Sequence, residues 1–510
     1  MKMVKSLLLG GAAGLIAVAG AHAADLPTKA KAVEYVKVCS FYGAGFFYIP
    51  GTDTCIKIGG YLRFEADHNA GGTFSPGVSP GGSAAQHIWA YDRTSDTLVT
   101  RQRMLLTYDV RTQTEYGTLR SYARSGVQWT TGDSVLAGSG AVSYLDRAYL
   151  QFAGFTFGKA ASFYDSYVYG IHSFQSSIIG SEGTSGNGTP MIAYSQTLGN
   201  GITASIALED SYARSKAITN VNTAGFWSVN AQNAFGNGPP SSQAGFAVPD
   251  VVGNIRVDQA WGNVGVSVAA HQNRALYYGN SALGNVAPGG GDPGLVGNGH
   301  PADKWGWAVQ GGGVLNLPWN KGDTFGFQVA YGQGALGFVN GSGISSLVIM
   351  HGNTIGLGYA VDAVYGGTNA ANGSALELTT AWALTAGTEH YWTPALRTSL
   401  YGGYTRIDYN DNATNLICTG TGLAQIGKGT GFTPANCSPD FAFWQIGSRT
   451  IWNPVANLDL GVEVMYNRLQ TGFAGNTTVA ANVAQPAQTL QAKDQDVLSA
   501  IFRVQRNFLP

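Results

Sequence analysis

The residues that could carry enzyme chemistry are few and form no catalytic motif. The chain has eight histidines, and none stands in an HExxH pattern. The paired metal ligands and general base of a zinc hydrolase are therefore missing. The HxE…PCxxC pattern of zinc deaminases is also absent. The sequence predicts that the chain is not an enzyme and has neither a cofactor nor a metal site.

Two glycine-rich stretches match nucleotide-binding patterns only in part. Residues 332–337 fit GxGxxG, but the following FVNGSG at 338–343 cannot open the helix whose N-terminus would hold a pyrophosphate. Residues 422–428 fit GxxxxGK, yet Gly429 replaces the Ser or Thr that binds magnesium. A chain with 72 glycines produces such matches by chance, so neither predicts a nucleotide site.

Four cysteines form two sequence-local pairs. Cys39 and Cys55 bracket a segment near the start, and Cys418 and Cys437 bracket one near the end. Four cysteines allow three connectivities, of which two short-range disulfides are the simplest. A tetrahedral metal site is the alternative, but the chain lacks CxxC and paired histidines. Whether Cys418 and Cys437 pair stays open at this stage.

Composition excludes the usual soluble enzyme. Charged residues make up 12% of the 510 residues, against about 25% in ordinary soluble domains. Disorder is excluded by 44% apolar content with 25 Tyr, 22 Phe and 11 Trp. A formal charge of −1 offers no general attraction for nucleic acid, so we expect no nucleic-acid partner.

The N-terminus has the pattern of an export signal. Lys2 and Lys5 precede an uncharged stretch, residues 7–21, and Ala-His-Ala at 21–23 supplies a small-x-small cleavage site. The stretch is shorter than the roughly 20 residues of a membrane-spanning helix. We therefore expect residues 1–23 to be a signal peptide and 24–510 to form a single β-barrel domain.

Alternation with period two dominates the rest of the chain. From Ile56 to Glu65, apolar residues and glycine alternate with polar residues and glycine, which predicts a strand with one apolar face. Sixteen such segments are found, near 54–67, 97–111, 117–130, 144–153, 155–162, 190–197, 201–212, 251–261, 262–274, 304–316, 320–332, 376–391, 394–408, 440–453, 455–469 and 494–508.

The connections between these segments alternate in length. Seven are short, at 112–116, 154, 199–200, 262, 317–319, 393 and 454, and eight are long and rich in Gly, Ser, Asn and Pro. This layout is typical of an all-β, up-and-down antiparallel transmembrane barrel with an even number of strands. A soluble β-sandwich is the alternative, but its solvent face would carry more charge. Closure suits a membrane, where every backbone N–H and C=O must pair.

Aromatic residues support the same layout. Trp261, Trp319, Trp392 and Trp452 stand beside proposed short turns, as does Tyr116. Amphipathic rings prefer a membrane interface, so these residues predict an aromatic girdle at the short-turn end.

Three blocks carry a family resemblance. The N-terminal block comprises VKVC at 36–39, YGAGFFYIPGTDTC at 42–55 and GGY at 59–61; the others are DRAYL and FTFGK at 146–150 and 155–159, and RVQRNF at 503–508. These blocks resemble the alphaproteobacterial porins of the rhizobial and Brucella type. The resemblance implies a homotrimeric general-diffusion porin of a Gram-negative outer membrane, with sixteen strands, a third loop folded into the lumen and a second loop (131–143) that contacts a neighbour. Its partners would be small hydrophilic solutes, ions and outer-membrane lipid.

Charged residues on the polar strand faces are the candidate site. An arginine facing lipid costs about 2–4 kcal/mol at the membrane midplane, so we expect these side chains to point inward. We predict that a basic wall faces two acids of the third loop (about 163–189) across the constriction and creates a transverse field that favours polar solutes. The wall comprises Arg63, Arg101, Arg103, Arg120, Arg124 and Arg147, and the acids are Asp165 and Glu182. Alternatively, the charges line a wide lumen or tie down the loop.

Two other functions stay open. Loop tyrosines such as Tyr164, Tyr167 and Tyr169 would suit a substrate-specific channel with a binding site. Long loops would also suit a surface adhesin or structural anchor built on a barrel. Pore radius, ion selectivity and the natural solutes do not follow from the sequence.

Overall fold

The computed structural model describes residues 38–70, 97–131, 141–165, 173–174, 187–221, 241–279, 293–341, 346–419, 437–479 and 488–508. The predicted signal peptide and its boundary at Ala24 lie outside these ranges.

Sixteen strands form the barrel, and each predicted segment overlaps one of them. Their bounds are β1 Cys55–His68, β2 Leu98–Thr114, β3 Gly117–Thr130, β4 Ala141–Phe152, β5 Phe155–Ala160, β6 Thr189–Gly199, β7 Ile202–Glu209, β8 Asp250–Gln259, β9 Gly262–Asn273, β10 Lys304–Asn316, β11 Thr324–Gln333, β12 Thr380–Thr393, β13 Leu396–Asp408, β14 Phe441–Trp452, β15 Leu458–Thr471 and β16 Gln495–Phe508.

Antiparallel pairing of sequence neighbours closes the sheet. The first strand, β1, pairs with the last, β16, from Gly60 opposite Phe508 to His68 opposite Ala500. Closure satisfies the backbone groups that an open sheet would leave unpaired. The up-and-down barrel of sixteen strands predicted from the alternation is confirmed.

The pleat separates an apolar outer face from a polar inner face. On β15, Val462 and Val464 are 51% and 43% exposed, whereas Glu463 between them is 1% exposed. On β1, Leu62 and Phe64 likewise point outward. Side chains of opposite character alternate because successive residues of a strand point to opposite sides.

Seven short connections lie at one end of the barrel. Two are two-residue turns with positive φ at both positions, Ala153-Gly154 and Asn200-Gly201, the geometry that matches the twist of paired strands. The connection expected at 317–319 extends to residue 323, because β11 begins only at Thr324. The four tryptophans predicted for this end are exposed: Trp261, Trp319, Trp392 and Trp452.

Eight longer connections lie at the other end. They are L1 (69–97), L2 (131–140), L3 (161–188), L4 (210–249), L5 (274–303), L6 (334–379), L7 (409–440) and L8 (472–494). The described parts of L4, L6, L7 and L8 fold together, and we call this assembly the loop cap.

Two small sheets build the loop cap. One joins a hairpin of L6, Ser346–His351 and Thr354–Tyr359, to a hairpin of L8, Asn476–Val479 and Gln488–Ala492. The other joins Ile218–Asn220 of L4 to Ala363–Tyr365 and Glu377–Leu378 of L6. Only Glu377–Leu378 falls within a predicted segment, 376–391, where the sequence predicts part of a barrel strand; the other strands lie in stretches that the sequence predicts to be long connections.

Helix α1 (Asp411–Thr419) lies in L7 and was also not predicted. The Asn410 side chain accepts a hydrogen bond from the backbone N–H of Ala413 at 2.7 Å, which caps the first turn, and Asp411 places negative charge there. Nine residues are too few for a clear helical period. No helix within the described residues has the length and apolar character needed to cross a membrane.

Both predicted disulfides are present. Cys39 pairs with Cys55, and Cys418 at the end of α1 pairs with Cys437. The sequence-local connectivity is confirmed, and the alternative of a cysteine metal site is wrong.

Candidate pore constriction

The six arginines predicted to form a basic wall lie on the inner face of four adjacent strands. Five of them and Arg111, which was not among the six, form three pairs that stand directly opposite each other across neighbouring strands. The pairs are Arg63 and Arg103, Arg111 and Arg120, and Arg124 and Arg147. Like charges in this position destabilise a sheet. We call the inner side of β1–β4 the arginine face.

Asp109 reduces the repulsion at one end of the arginine face. Its carboxylate accepts two hydrogen bonds from Arg111, at 2.9 and 2.7 Å, and two from Arg120, at 3.0 and 2.8 Å. The Arg120 guanidinium also lies 5.1 Å from the centre of the Tyr122 ring. One acid therefore holds two arginines in fixed positions.

Neutral groups and rings hold the other arginines. Arg103 donates to Gln128 Oε1 at 3.1 and 2.6 Å and lies 5.2 Å from the centre of the Tyr144 ring. Arg63 donates to Gln505 Oε1 at 2.8 Å. The contacts with Gln128, Tyr144 and Gln505 orient the guanidinium groups without cancelling their charge, whereas Glu65, 3.8 Å from Arg63, compensates part of the charge of that arginine.

A bulge in β4 places an acid beside the arginine pair at mid-height. The register between β3 and β4 shifts after Arg124, so Asp146 turns inward next to Arg147. Arg124 Nε lies 3.2 Å from an Asp146 carboxylate oxygen. The extra residue of a bulge redirects the side chains around it, and periodicity alone does not reveal it.

Exposure differs strongly around the inner wall. The inward side chains of β2–β4 are mostly half-buried, including Arg103, Asp109, Arg120 and Arg124. Inward polar side chains of β12–β15 are buried instead, and we call this side the covered wall: Thr385, Glu389, Ser399, Thr405, Gln445, Glu463 and Asn467. Solvent therefore reaches the arginine face, while folded loops cover the wall formed by β12–β15.

Small inward-facing residues leave space for the loop cap at the long-loop end of the barrel. Ala308, Ala330, Ala381 and Ala383 belong to the same apolar cluster as the L6 strands. Leu347, Val348 and Ile349 of L6 are each 0% exposed. The long-loop end of this side is thus filled by packed apolar side chains rather than by water.

A buried polar node joins the loop cap to the barrel. Asp362 of L6 accepts backbone hydrogen bonds from Lys216 at 2.6 Å and Leu336 at 2.7 Å, and one of its oxygens lies 3.8 Å from His271 Nε2 on β9. Burial raises the pKa of Asp362, against the opposing effect of His271. Burial lowers the pKa of Lys216 to about 8. No sequence pattern indicates this node.

The first part of L3 packs against the inner wall away from the arginine face. Phe163 donates its backbone N–H to Glu209 on β7 at 2.9 Å, and its carbonyl accepts from Asn254 on β8 at 2.6 Å. Asp165 forms a buried ion pair with Arg214 of L4. The structure therefore places Asp165 in an anchor between two loops.

Ser173 and Phe174 are the other described residues in the interior of L3. The backbone N–H of Phe174 donates to Glu463 on β15 at 2.5 Å. L3 is thus in contact with the inner wall at β7–β8 and again at β15, as expected for a third loop folded into the lumen.

The remaining predicted residues have varied positions. Arg101 is buried on β2 and donates to Thr130 at 3.1 Å. Tyr164 is 0% exposed and packs against Phe338, 4.9 Å between ring centres, so it does not present a surface to solutes. Glu182, Tyr167 and Tyr169 lie outside the described residues.

The segment closed by Cys39 and Cys55 borders the arginine face at the short-turn end. Arg111 lies 4.9 Å from the centre of the Phe46 ring and 5.6 Å from that of Tyr42. The sequence identified the cysteines but not this aromatic contact with a lumen arginine.

Comparisons with known proteins agree with this architecture. Porin Omp2b of Brucella abortus (strain 2308) is 31% identical over 280 residues, which cover 52% of this chain and 65% of that porin. Porin Omp2b of Brucella suis is 32% identical over 274 residues, covering 52% and 66%. The aligned region therefore spans less than two thirds of each relative.

A solved structure has the same fold. The outer membrane channel DcaP of Acinetobacter baumannii matches with a TM-score of 0.55 and 15% identity, covering 90% of this chain and 99% of that one. The family model described as "Porin subfamily" matches residues 25–501. Because that match spans nearly the entire sequence, this outer-membrane β-barrel chain belongs to the porin subfamily.

Proposed function

We propose that this protein forms a water-filled channel through which small hydrophilic solutes and ions diffuse passively. The observation that carries the proposal is the contrast between the two inner walls. Apart from the buried Arg101, the inward arginines, tyrosines and glutamines of β2–β4 are half-buried and reach solvent, whereas inward polar side chains of β12–β15 are buried. Transport of this kind needs no catalysis and no energy source.

The arginine face would set the ion preference of this channel. Asp109 and Asp146 compensate part of its charge, and arginines remain in excess. Of the two acids expected to oppose them, Asp165 is paired with Arg214, and Glu182 lies outside the described residues. We therefore expect a net positive lining that favours anions over cations.

Single-channel recording in planar bilayers tests the proposed channel. Purified protein should insert and produce discrete, ohmic current steps in salt solution. Folded protein that inserts but passes no current would contradict the proposal and favour a plugged anchor or adhesin on a barrel scaffold.

A substrate-specific channel is the second candidate, and the tyrosines beside the arginines favour it. The half-buried rings of Tyr122 and Tyr149 have their centres 5.1 and 5.7 Å from the Arg120 guanidinium. Such pairs could bind a solute that is both anionic and planar. Liposome swelling separates the candidates, because a general pore ranks sugars by size and a specific one does not.

We also propose a homotrimer, as the family resemblance implies. The outer side of β1–β3 and β16 has an apolar depression of about 510 Å³, lined in part by Phe64, Met104 and Trp129 with Gln102 and Arg506. Polar side chains on an outer face are better suited to a subunit contact than to lipid. Native mass spectrometry should give three chains, whereas a monomer would exclude the assembly.

A further inference from the structure

Phe174 of L3 lies in a recess of the covered wall. It is 6% exposed and forms an apolar cluster with Ala70, Ile451 and Ile501. Ile451 and Ile501 are inward residues of β14 and β16, so the phenylalanine touches strands far from β5, where L3 begins. L3 therefore begins at β5 on one side of the lumen and contacts β14 and β16 on another side.

The backbone N–H and C=O of Phe174 both form hydrogen bonds with barrel side chains. Its N–H donates to Glu463 Oε2 at 2.5 Å, and its carbonyl accepts from Arg503 Nη2 at 3.0 Å. Hydrogen bonds to charged partners are stronger than those between neutral groups. The loop is therefore fixed at this residue by its backbone as well as by its side chain.

Two guanidinium groups flank the phenylalanine ring. Arg503 lies 3.9 Å and Arg449 5.3 Å from its centre. Each arginine is oriented by an acid of its own: Arg503 by Glu65 at 2.5 Å, and Arg449 by Glu389 at 2.6 Å. A cation over an aromatic ring is stabilising where both are shielded from water.

Gly461 provides the space for the ring. A Cβ atom built on this inward residue of β15 would lie 2.4 Å from the Phe174 ring and 3.2 Å from the Ile451 side chain. Any other residue at 461 would therefore displace the ring. The strand and the loop have complementary shapes at this point.

We propose that Phe174 is the positioning residue that holds L3 across the lumen and thereby sets the size limit of the pore. This inference rests on the proposed channel function. Release of Phe174 frees the middle of L3 from the covered wall, while the Asp165–Arg214 anchor at the beginning of the loop stays intact. The pore should then widen and fluctuate.

Phe174→Ala tests the proposal by single-channel recording and liposome swelling. The variant should have a larger single-channel conductance and noisier open-channel current than the parent, and it should admit sugars that the parent excludes. Phe157→Ala removes an outward phenylalanine of β5 and should leave conductance unchanged.

Gly461→Val changes the barrel side of the same contact, on β15, and leaves the sequence of L3 unaltered. Valine suits a strand but occupies the space of the ring, so this variant should reproduce the effect of Phe174→Ala. If Phe174→Ala does not assemble into a barrel, Gly461→Val still tests whether the Phe174 contact sets the size limit of the pore. Heat-dependent mobility on gels establishes that each variant forms a folded barrel.

The outcomes separate the two proposals. A conducting parent whose Phe174→Ala or Gly461→Val variant is folded and has unchanged conductance and sugar limit would overturn the role of Phe174 and leave the channel function standing. A parent that passes no current would remove the channel function and this inference with it.

Discussion

At the scale of single residues, the arginine face places like charges opposite one another on three pairs of strand positions. A sheet selected for stability alone avoids such pairs. Local violations of this kind are typical of functional sites, and here Asp109, Asp146 and the neighbouring tyrosines limit the cost. The charges should therefore affect which ions pass.

Replacing Arg103 and Arg124 together by alanine should shift ion preference toward cations. The substitution removes two half-buried positive charges from the lining, so the field that attracts anions weakens. Reversal potentials across a salt gradient measure the shift. Arg468→Ala, which removes an arginine paired with Asp494 on the outer side, is the control. Unchanged reversal potentials in the double variant would contradict the assignment.

Asp109→Asn should act in the opposite direction. Asp109 now holds Arg111 and Arg120 with four hydrogen bonds, and asparagine keeps the size of the side chain while removing its charge. The lining becomes more positive, so the same salt-gradient measurement should move toward anions. A shift toward cations would indicate that Asp109 does not face the ion path.

The sequence predicts which face these residues occupy but not their partners. An arginine near the middle of a strand is expected to point inward, because lipid excludes it there, whereas Arg468 and Arg506 on the outer face lie near strand ends. From its place in L3, Asp165 is also expected at the constriction. Its partner Arg214 belongs to L4, however, and no local sequence pattern connects the two residues. Glu463, Arg449 and Arg503 could be placed inside, but their shared contact with Phe174 depends on the path of L3.

At the scale of elements, strands were predictable and loops were not. Each strand meets lipid on one side, which imposes period two on its sequence. The L6 strand Thr354–Tyr359 is buried on both faces beyond its first residue, so it has no polar side to alternate with. Its partner Gln488–Ala492 belongs to L8, so this pairing joins residues far apart in the sequence and no local pattern reveals it.

Val462→Arg tests the outward face directly. An arginine near the middle of β15 on the lipid side should lower the unfolding free energy by about 2–4 kcal/mol, measured by denaturant titration of protein folded in lipid vesicles. Ser195→Arg on the inner face of β6 is the matched comparison and should cost much less. Equal losses at both positions would contradict the assigned orientation.

Asp362→Ala should loosen the loop cap and leave the barrel folded. The change leaves the backbone N–H groups of Lys216 and Leu336 without their acceptor, at a cost of about 1–3 kcal/mol for each unsatisfied buried group. Limited proteolysis of folded protein should cut L4 or L6 faster than in the parent.

Two comparisons complete that experiment. Asp362→Asn keeps an acceptor oxygen and should be closer to the parent. Asp303→Ala removes a solvent-accessible acid whose ion pair with Arg274 is long, 3.8 Å, and surface changes of this kind are usually within about 0.5 kcal/mol. Proteolysis of Asp362→Ala at the parental rate would contradict the node.

At the scale of the whole molecule, the barrel is filled unevenly. Within the described residues, the loop cap and the described parts of L3 lie against the side of β7–β16, and most of the arginine face is accessible to solvent. The closed barrel followed from counting strands, whereas this asymmetry followed only from knowing where the loops pack. The pore proposed here is therefore displaced toward β1–β4.

The reversal potential of the unmodified protein in a planar bilayer, recorded across a salt gradient, tests this account most directly. A displaced, arginine-lined water path predicts ohmic channels whose reversal potential has the sign of anion preference. Channels that select cations, or a folded protein that carries no current, would contradict it.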